Sequence, residues 1–304
     1  MPLDISRLRK KTQTHWSDLW VPEESRYQNT LNILSKVIYL PDHDIQMPMV
    51  AVYLWLNSNW ATQVPYLFSY GREGSGKSAI ATVMEKMLDI TCLQAASTAV
   101  SIRNEVNNSR FPEGEDGPEN DCFFLVWDNV NLQTLEDPKI WEILLSGAIR
   151  GKDRVAVSST IVGENKYFYT FCPKVYSSVW ALHANPNYRE LTRRTMVLFH
   201  EKLSEEKISE LTLVPSDEID FSDFFDVKMQ QFFNQESRYL EYEEFKKAWN
   251  KARFPKWWDV ARKRLYADFA ATGFIIGAWK DVSEAKDIIG GYEQGLLRKI
   301  GDCQ

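Results

Sequence analysis

Gly71-Arg72-Glu73-Gly74-Ser75-Gly76-Lys77-Ser78 is the stretch on which the reading of this chain turns. The eight residues match G-x-x-x-x-G-K-[ST] in full, the spacing of a P-loop. Glycines at these positions let successive backbone N–H groups curl around a polyphosphate, and the start of a following helix adds its positive dipole end. In that spacing Lys77 reaches the β- and γ-phosphates and Ser78 ligates Mg²⁺. Gly71, Arg72, Glu73, Gly74, Ser75, Gly76 and Ala79 complete the expected cradle, so ATP and Mg²⁺ are the expected ligands. The flanks agree. Val64–Tyr70 reads as a strand, and Ser78–Leu88 sets Ile80, Val83 and Met87 at helical spacing.

A P-loop needs an acid that holds Mg²⁺ from across the sheet. Cys122–Trp127 is a fully apolar run, the pattern of a strand buried on both faces of a parallel sheet, and it ends at Asp128. Ligands of open α/β sheets bind outside the carboxyl ends of the strands. Asp128 is therefore expected to hold the metal as a Walker-B Asp does; a strand-ending Asp that caps the next turn is the plainer alternative. Asn129 follows, where many ring ATPases carry Glu to polarise the attacking water. Asn can orient water but cannot take its proton. Either Asp128 serves both needs, or Glu73 helps, or turnover is slow.

The 304 residues suit one large domain or a core with a smaller companion. Hydrophobic residues make up 44% and charged residues 26%, ordinary for a globular chain, and eleven Trp, sixteen Phe and thirteen Tyr supply ample core. Cys92, Cys122, Cys172 and Cys303 show no C-x-x-C spacing, which argues against a structural zinc site or a disulfide framework. No run of apolar residues reaches membrane-spanning length and Met1–Arg9 lacks a signal pattern, so the chain reads as cytoplasmic with no membrane partner. A net charge of −6 excludes general polyanion binding, leaving local basic patches for any nucleic-acid contact.

The patterning divides the chain into an N-terminal helical segment (1–44), an α/β core (45–201) and a C-terminal helical part (202–304). Helices are expected at Tyr27–Tyr39, Pro138–Ala148, Trp257–Phe274 and Val282–Ile300, with a turn at Pro41–Asp44 and an acidic loop at Asn107–Asn120. Further strands are expected at Ile90–Leu93, Val175–Leu182 and Thr195–Phe199, with a β-hairpin from Arg154–Ser158 and Lys166–Phe171.

Beyond the P-loop, an ordered set of short motifs runs through Trp127-Asp128-Asn129-Val130, Ser146-Gly147-Ala148-Ile149-Arg150, the hairpin, Phe171-Cys172-Pro173-Lys174-Val175 and Glu190-Leu191-Thr192-Arg193-Arg194. This order resembles the helicase-type ATPase modules of phage and plasmid replication proteins, often joined to primases and related to superfamily-three and AAA+ ATPases. The resemblance covers roughly 35–201 and, more weakly, Asp259–Tyr292 as a helical lid. It implies an AAA+-like parallel sheet flanked by helices, with ATP hydrolysis by a homo-oligomer, a hexamer-like ring or a filament. It also implies single-stranded DNA as the track and a primase or other replication protein as partner. Ser177 falls where that family has a sensor Asn contacting the γ-phosphate or the water. Arg194 falls where it has an arginine directed at a neighbouring subunit's nucleotide; a solvated basic pair, Arg193 and Arg194, is the alternative.

In such relatives the hairpin tracks nucleic acid in the central pore. Here Arg150, Lys152, Arg154, Lys166 and Lys174 cluster with Tyr167, Phe168 and Tyr169, a mixture suited to phosphate pairing and base stacking, with Arg154 and Lys166 foremost. An amphipathic hairpin with a charged outer face is the alternative. Arg262 and Arg264 read as a surface basic pair or a lid contact to phosphate. Three functions are carried forward: a ring motor on nucleic acid, an ATP-controlled assembly or protein-remodelling switch, and a kinase. The last is disfavoured because it has no use for the hairpin and the Arg-Arg pair.

Overall fold

The computed structural model describes residues 13–90, 92–93, 97–110, 124–158, 165–226 and 231–302. In chain order its strands are β1 (Thr14–His15), β2 (Tyr66–Gly71), β3 (Cys92–Leu93), β4 (Leu125–Trp127), β5 (Arg154–Ser158), β6 (Asn165–Tyr169), β7 (Lys174–Ser178), β8 (Thr195–His200) and β9 (Ile219–Asp220). The helices are α1 (Arg26–Val37), α2 (His43–Tyr53), α3 (Lys77–Leu88), α4 (Ala99–Arg110), α5 (Leu132–Leu135) and α6 (Pro138–Ser146). They continue with α7 (Arg189–Thr192), α8 (Glu205–Glu210), α9 (Gln231–Phe233), α10 (Glu236–Lys251), α11 (Val260–Ile276) and α12 (Val282–Asp302).

Five strands form the central sheet in the order β3-β4-β7-β2-β8, and every pairing is parallel. β4 and β7 are buried along their whole length and β2 everywhere but Tyr70. A parallel sheet covered by helices on both faces demands such runs, because no strand face meets water. β5 and β6 make a separate antiparallel hairpin, and β1 pairs with β9. One continuous hydrophobic cluster runs from Trp16 through the sheet to Leu296, so the N-terminal and C-terminal helices share the core of the sheet. Each fully buried large apolar side chain in it contributes about 1.5–3 kcal/mol.

Local chemistry sets the element ends. Ser25 caps α1, its hydroxyl accepting from the Gln28 N–H, and Asp259 caps α11 by accepting from Ala261 N–H. Asp137 caps α6 ahead of Pro138 at the first helical position, where a missing N–H costs nothing. The apolar stretch Met47–Leu56 is mostly α2, with every residue from Gln46 to Tyr53 buried except the half-buried Pro48, so it lacks an amphipathic stripe. Gln46 serves the sheet edge: its carboxamide accepts from Phe199 N–H at 2.7 Å and donates to the Phe199 carbonyl at 3.2 Å. That closes part of the exposed edge of β8.

Three expectations shift in detail. β7 ends at Ser178 instead of reaching Leu182, because the Ser178 hydroxyl donates to the Val130 carbonyl and accepts from Trp180 N–H, turning the chain. α11 begins at Val260, after its Asp259 cap, and not at Trp257. α4 already occupies the start of the stretch expected as an acidic loop; residues 111–123, like the hairpin tip at 159–164, lie outside the described residues. Among the described residues no helix is long and apolar enough to cross a membrane.

Candidate functional site

β2 ends in Gly71, whose register partner on β8 is His200. The backbones approach so closely that a Cβ on Gly71 would lie 2.7 Å from the His200 carbonyl oxygen and 2.6 Å from Ser75 Oγ. Only glycine fits there. Gly74 and Gly76 adopt φ of 74° and 84°, the left-handed region that glycine enters at no cost. The chain then passes into α3, whose N-terminus opens on the loop with no side-chain cap. Lys77 is 5% exposed and donates from Nζ to the Arg72 carbonyl at 2.8 Å. Burial lowers the pKa of its ammonium, while the carboxylates of Asp128 and Glu73 oppose that shift. Ser75 Oγ is buried without a hydrogen-bond partner. An ammonium, an unpartnered hydroxyl and a helix N-terminus converging on one loop fit a polyphosphate.

The acid stands at the same end of the sheet, beyond the carboxyl ends of interior strands. β4 pairs with β7 so that Trp127 faces Tyr176, which brings Asp128 beside Ser177; β7 in turn pairs Ser177 with Ser69 of the loop strand. The Ser177 hydroxyl donates a short hydrogen bond to Asp128 Oδ1 and accepts from Asn129 N–H at 3.0 Å. Asn129 Nδ2 donates to Asp128 Oδ2 at 3.1 Å. Both carboxylate oxygens are thus fixed by neighbours while the group stays buried. Ser177, 2% exposed, turns its hydroxyl to Asp128, so it is a positioning residue for that acid. Asn129 sits at φ 56°, a left-handed conformation that Asn tolerates through its short polar side chain and that a longer side chain such as Glu adopts only at a cost. This backbone supplies a physical reason for Asn at the position where a catalytic Glu was expected.

Ser78, in the first turn of α3, and Asp128 offer the hard oxygen donors that Mg²⁺ prefers, which leaves other ligand positions for water and phosphate. The residues present therefore fit the metal. Among the described residues no separate cluster of three or more His, Cys, Asp or Glu could hold another.

The remaining sequence candidates stand elsewhere. Arg194 directly precedes β8, whose first residue pairs with Tyr66, while the loop follows Gly71 at the opposite end of the same ladder. Six strand residues separate the two ends by about 20 Å. Arg194 is held within the chain, donating to the Leu145 carbonyl and, at 2.8 Å, to Glu190. Arg193 pairs with Glu190 and Asp259. Arg154 and Lys166 are exposed on the hairpin, Arg154 lying 4.2 Å above the Tyr167 ring and Lys166 5.2 Å from the Phe168 ring. Lys174 leaves that basic cluster: it is buried and donates to the Thr170 and Cys172 carbonyls at 2.7 and 3.3 Å. Arg262 is not a surface residue either. It pairs with Glu293 at 3.2 Å and donates to the Thr195 carbonyl at 3.0 Å, tying α11 to the start of β8.

The structure therefore brings together Gly71–Ala79, Asp128, Asn129 and Ser177, and leaves Arg194, Arg154 and Lys166 apart. It also adds His200, which no motif announces and only the pairing of β8 with β2 brings to the loop. His200 is buried beside the loop, and burial, reinforced by the Lys77 charge and opposed by the backbone of Ser75, pushes its pKa down to about 4. No protein-family model matches the chain, and no curated protein matches it.

Proposed function

We propose that the chain is a P-loop ATPase of the AAA+ and superfamily-three kind, which binds ATP with Mg²⁺ at Gly71–Ala79. In this reading it works as a ring-type motor on single-stranded nucleic acid in replication of a mobile element. The observation that carries the proposal is the convergence of Lys77, Ser78 and the fixed Asp128 at the carboxyl end of the parallel strands. The strand order supports the resemblance as well, since β7 with Ser177 lies between the loop strand and the acid strand.

Each residue has a defined task. The loop N–H groups and the α3 N-terminus bind the phosphates, and Lys77, released from the Arg72 carbonyl, moves its ammonium onto the transferred group. Ser78 and Asp128 would hold Mg²⁺, whose contribution is to neutralise charge on the β- and γ-phosphates. Ser177 and Asn129 keep Asp128 oriented. Arg194 lies too far from its own loop to serve it, so its role as an arginine finger requires a neighbouring copy and release from Glu190. The exposed cation and aromatic pairs of Arg154 and Lys166 would track the nucleic acid.

A second reading, an ATP-controlled assembly or remodelling switch, is favoured by one observation. Asn129 spends its amide on Asp128 and offers no base, which suits slow turnover. ATPase rate with and without single-stranded DNA, measured beside particle mass in a non-hydrolysable nucleotide, separates the two. Stimulation by DNA selects the motor and assembly without stimulation selects the switch. Absence of nucleotide-dependent turnover and assembly refutes both.

A further inference from the structure

A cavity of about 430 Å³ opens between the turn after β7 and the C-terminal helices, and none of residues 71–79 lines it. His183 is at its buried side and Arg189 at its exposed side, with Pro186, Trp257, Leu296 and Leu297 among its walls. His183 is 7% exposed and neither ring nitrogen has a hydrogen-bond partner. Its ring packs against Tyr70 and Phe199, with centroids 4.7 and 5.2 Å away. A buried polar group left unpaired is unfavourable and rare in folded proteins, so this one calls for an explanation. Burial pushes the imidazole pKa down to about 4, so the neutral ring offers one N–H and one lone pair at neutral pH.

The other charged residues of the lining satisfy each other: Arg193 pairs with Asp259 at 3.3 Å and Arg262 with Glu293 at 3.2 Å. Arg189 has no ion pair among the described residues, and Trp257 and Leu297 remain 42% and 57% exposed. Unused chemistry here thus amounts to an apolar wall, one buried imidazole and one cation. Cavities of this size, apolar with a few converging polar groups, are the usual form of small-ligand sites.

We propose that this cavity binds a small planar aromatic ligand bearing an anionic group, with its ring against Trp257 and Leu297 and its anion on Arg189. A polar atom of the ligand meets His183. None of Gly71–Ala79 lines the site, although His183 packs on Tyr70 directly before that loop, and the proposal does not depend on the function proposed for the loop.

The probe is 4-(trifluoromethyl)benzoate, titrated with the full chain without nucleotide and followed by ¹⁹F NMR. The expected result is saturable line broadening, with the benzoate bound about tenfold more tightly than 4-(trifluoromethyl)benzamide, the worth of a charge-assisted contact. Arg189→Gln should erase that preference, and Leu297→Glu should weaken the benzoate by about tenfold through like-charge repulsion. Both positions are exposed, so both variants should melt as the parent does. No saturable broadening, equal binding of acid and amide, or benzoate binding unchanged in both variants would overturn the proposal.

Discussion

Ser177→Ala tests how the acid at the candidate site is held. The hydroxyl donates to Asp128 Oδ1 and accepts from Asn129 N–H, so the substitution removes two hydrogen bonds at once. The bond to the carboxylate is charge-assisted and worth about 1.5–3 kcal/mol, while the second is weaker and Asn129, being exposed, can turn to water. A net stability loss of about 2 kcal/mol follows, which for a chain of 304 residues lowers the melting temperature by roughly 3 °C. The carboxylate then keeps only the Asn129 amide as an orienting partner. Binding of a fluorescent ATP analogue should be compared with Mg²⁺ present and with EDTA. Mg²⁺-dependent affinity should drop by about tenfold, the equivalent of one such contact. Metal-free affinity should hold, because Lys77 and the loop are untouched. A folded Ser177→Ala protein with the same Mg²⁺ dependence as the parent would refute the positioning role.

Three other outcomes follow from the packing. Asp268, 1% exposed, accepts from Thr62 N–H and hydroxyl, Gln63 N–H and Tyr242 O–H and pairs with Lys246, so Asp268→Ala should cost about 3–5 kcal/mol in denaturant titration. Gly71→Ala should destabilise by about 1–3 kcal/mol and weaken nucleotide binding, since its methyl would press on a backbone carbonyl that cannot move aside, and unchanged melting would contradict the close approach. His183 and His200 are depressed from the usual 6.5 to about 4, so the folded state binds fewer protons than the unfolded chain between those values. Their stabilisation is complete above pH 6.5 and is lost as pH falls toward 4, by about 3 kcal/mol per ring at pH 4. His183→Leu should flatten the stability profile between pH 7 and pH 5.

The parallel sheet was legible because its signals are local: an apolar run ending in Asp128, and a glycine-rich turn between Tyr66–Tyr70 and a helical stripe at Ile80, Val83 and Met87. Spacing along the chain reports such features directly. It does not report what a side chain meets across the sheet. Ser177 was legible as a position but not as Asp128's partner, because that contact depends on the register of β4 against β7. Lys174 and Arg262 looked like surface cations, yet backbone carbonyls and Glu293 satisfy them inside the fold. His200 carried no signal at all. α2 carries no one-sided apolar stripe because seven of its eleven residues are buried, and Gln46 within it serves the edge of β8.

The central claim is that Gly71–Ala79 binds Mg²⁺ and ATP through Lys77. Isothermal titration of the full chain with a non-hydrolysable ATP analogue, in parallel with Lys77→Ala, tests it most directly. The account predicts one Mg²⁺-dependent site per chain, lost in the variant while its melting temperature holds. No binding by the parent, or equal binding by the variant, would contradict it.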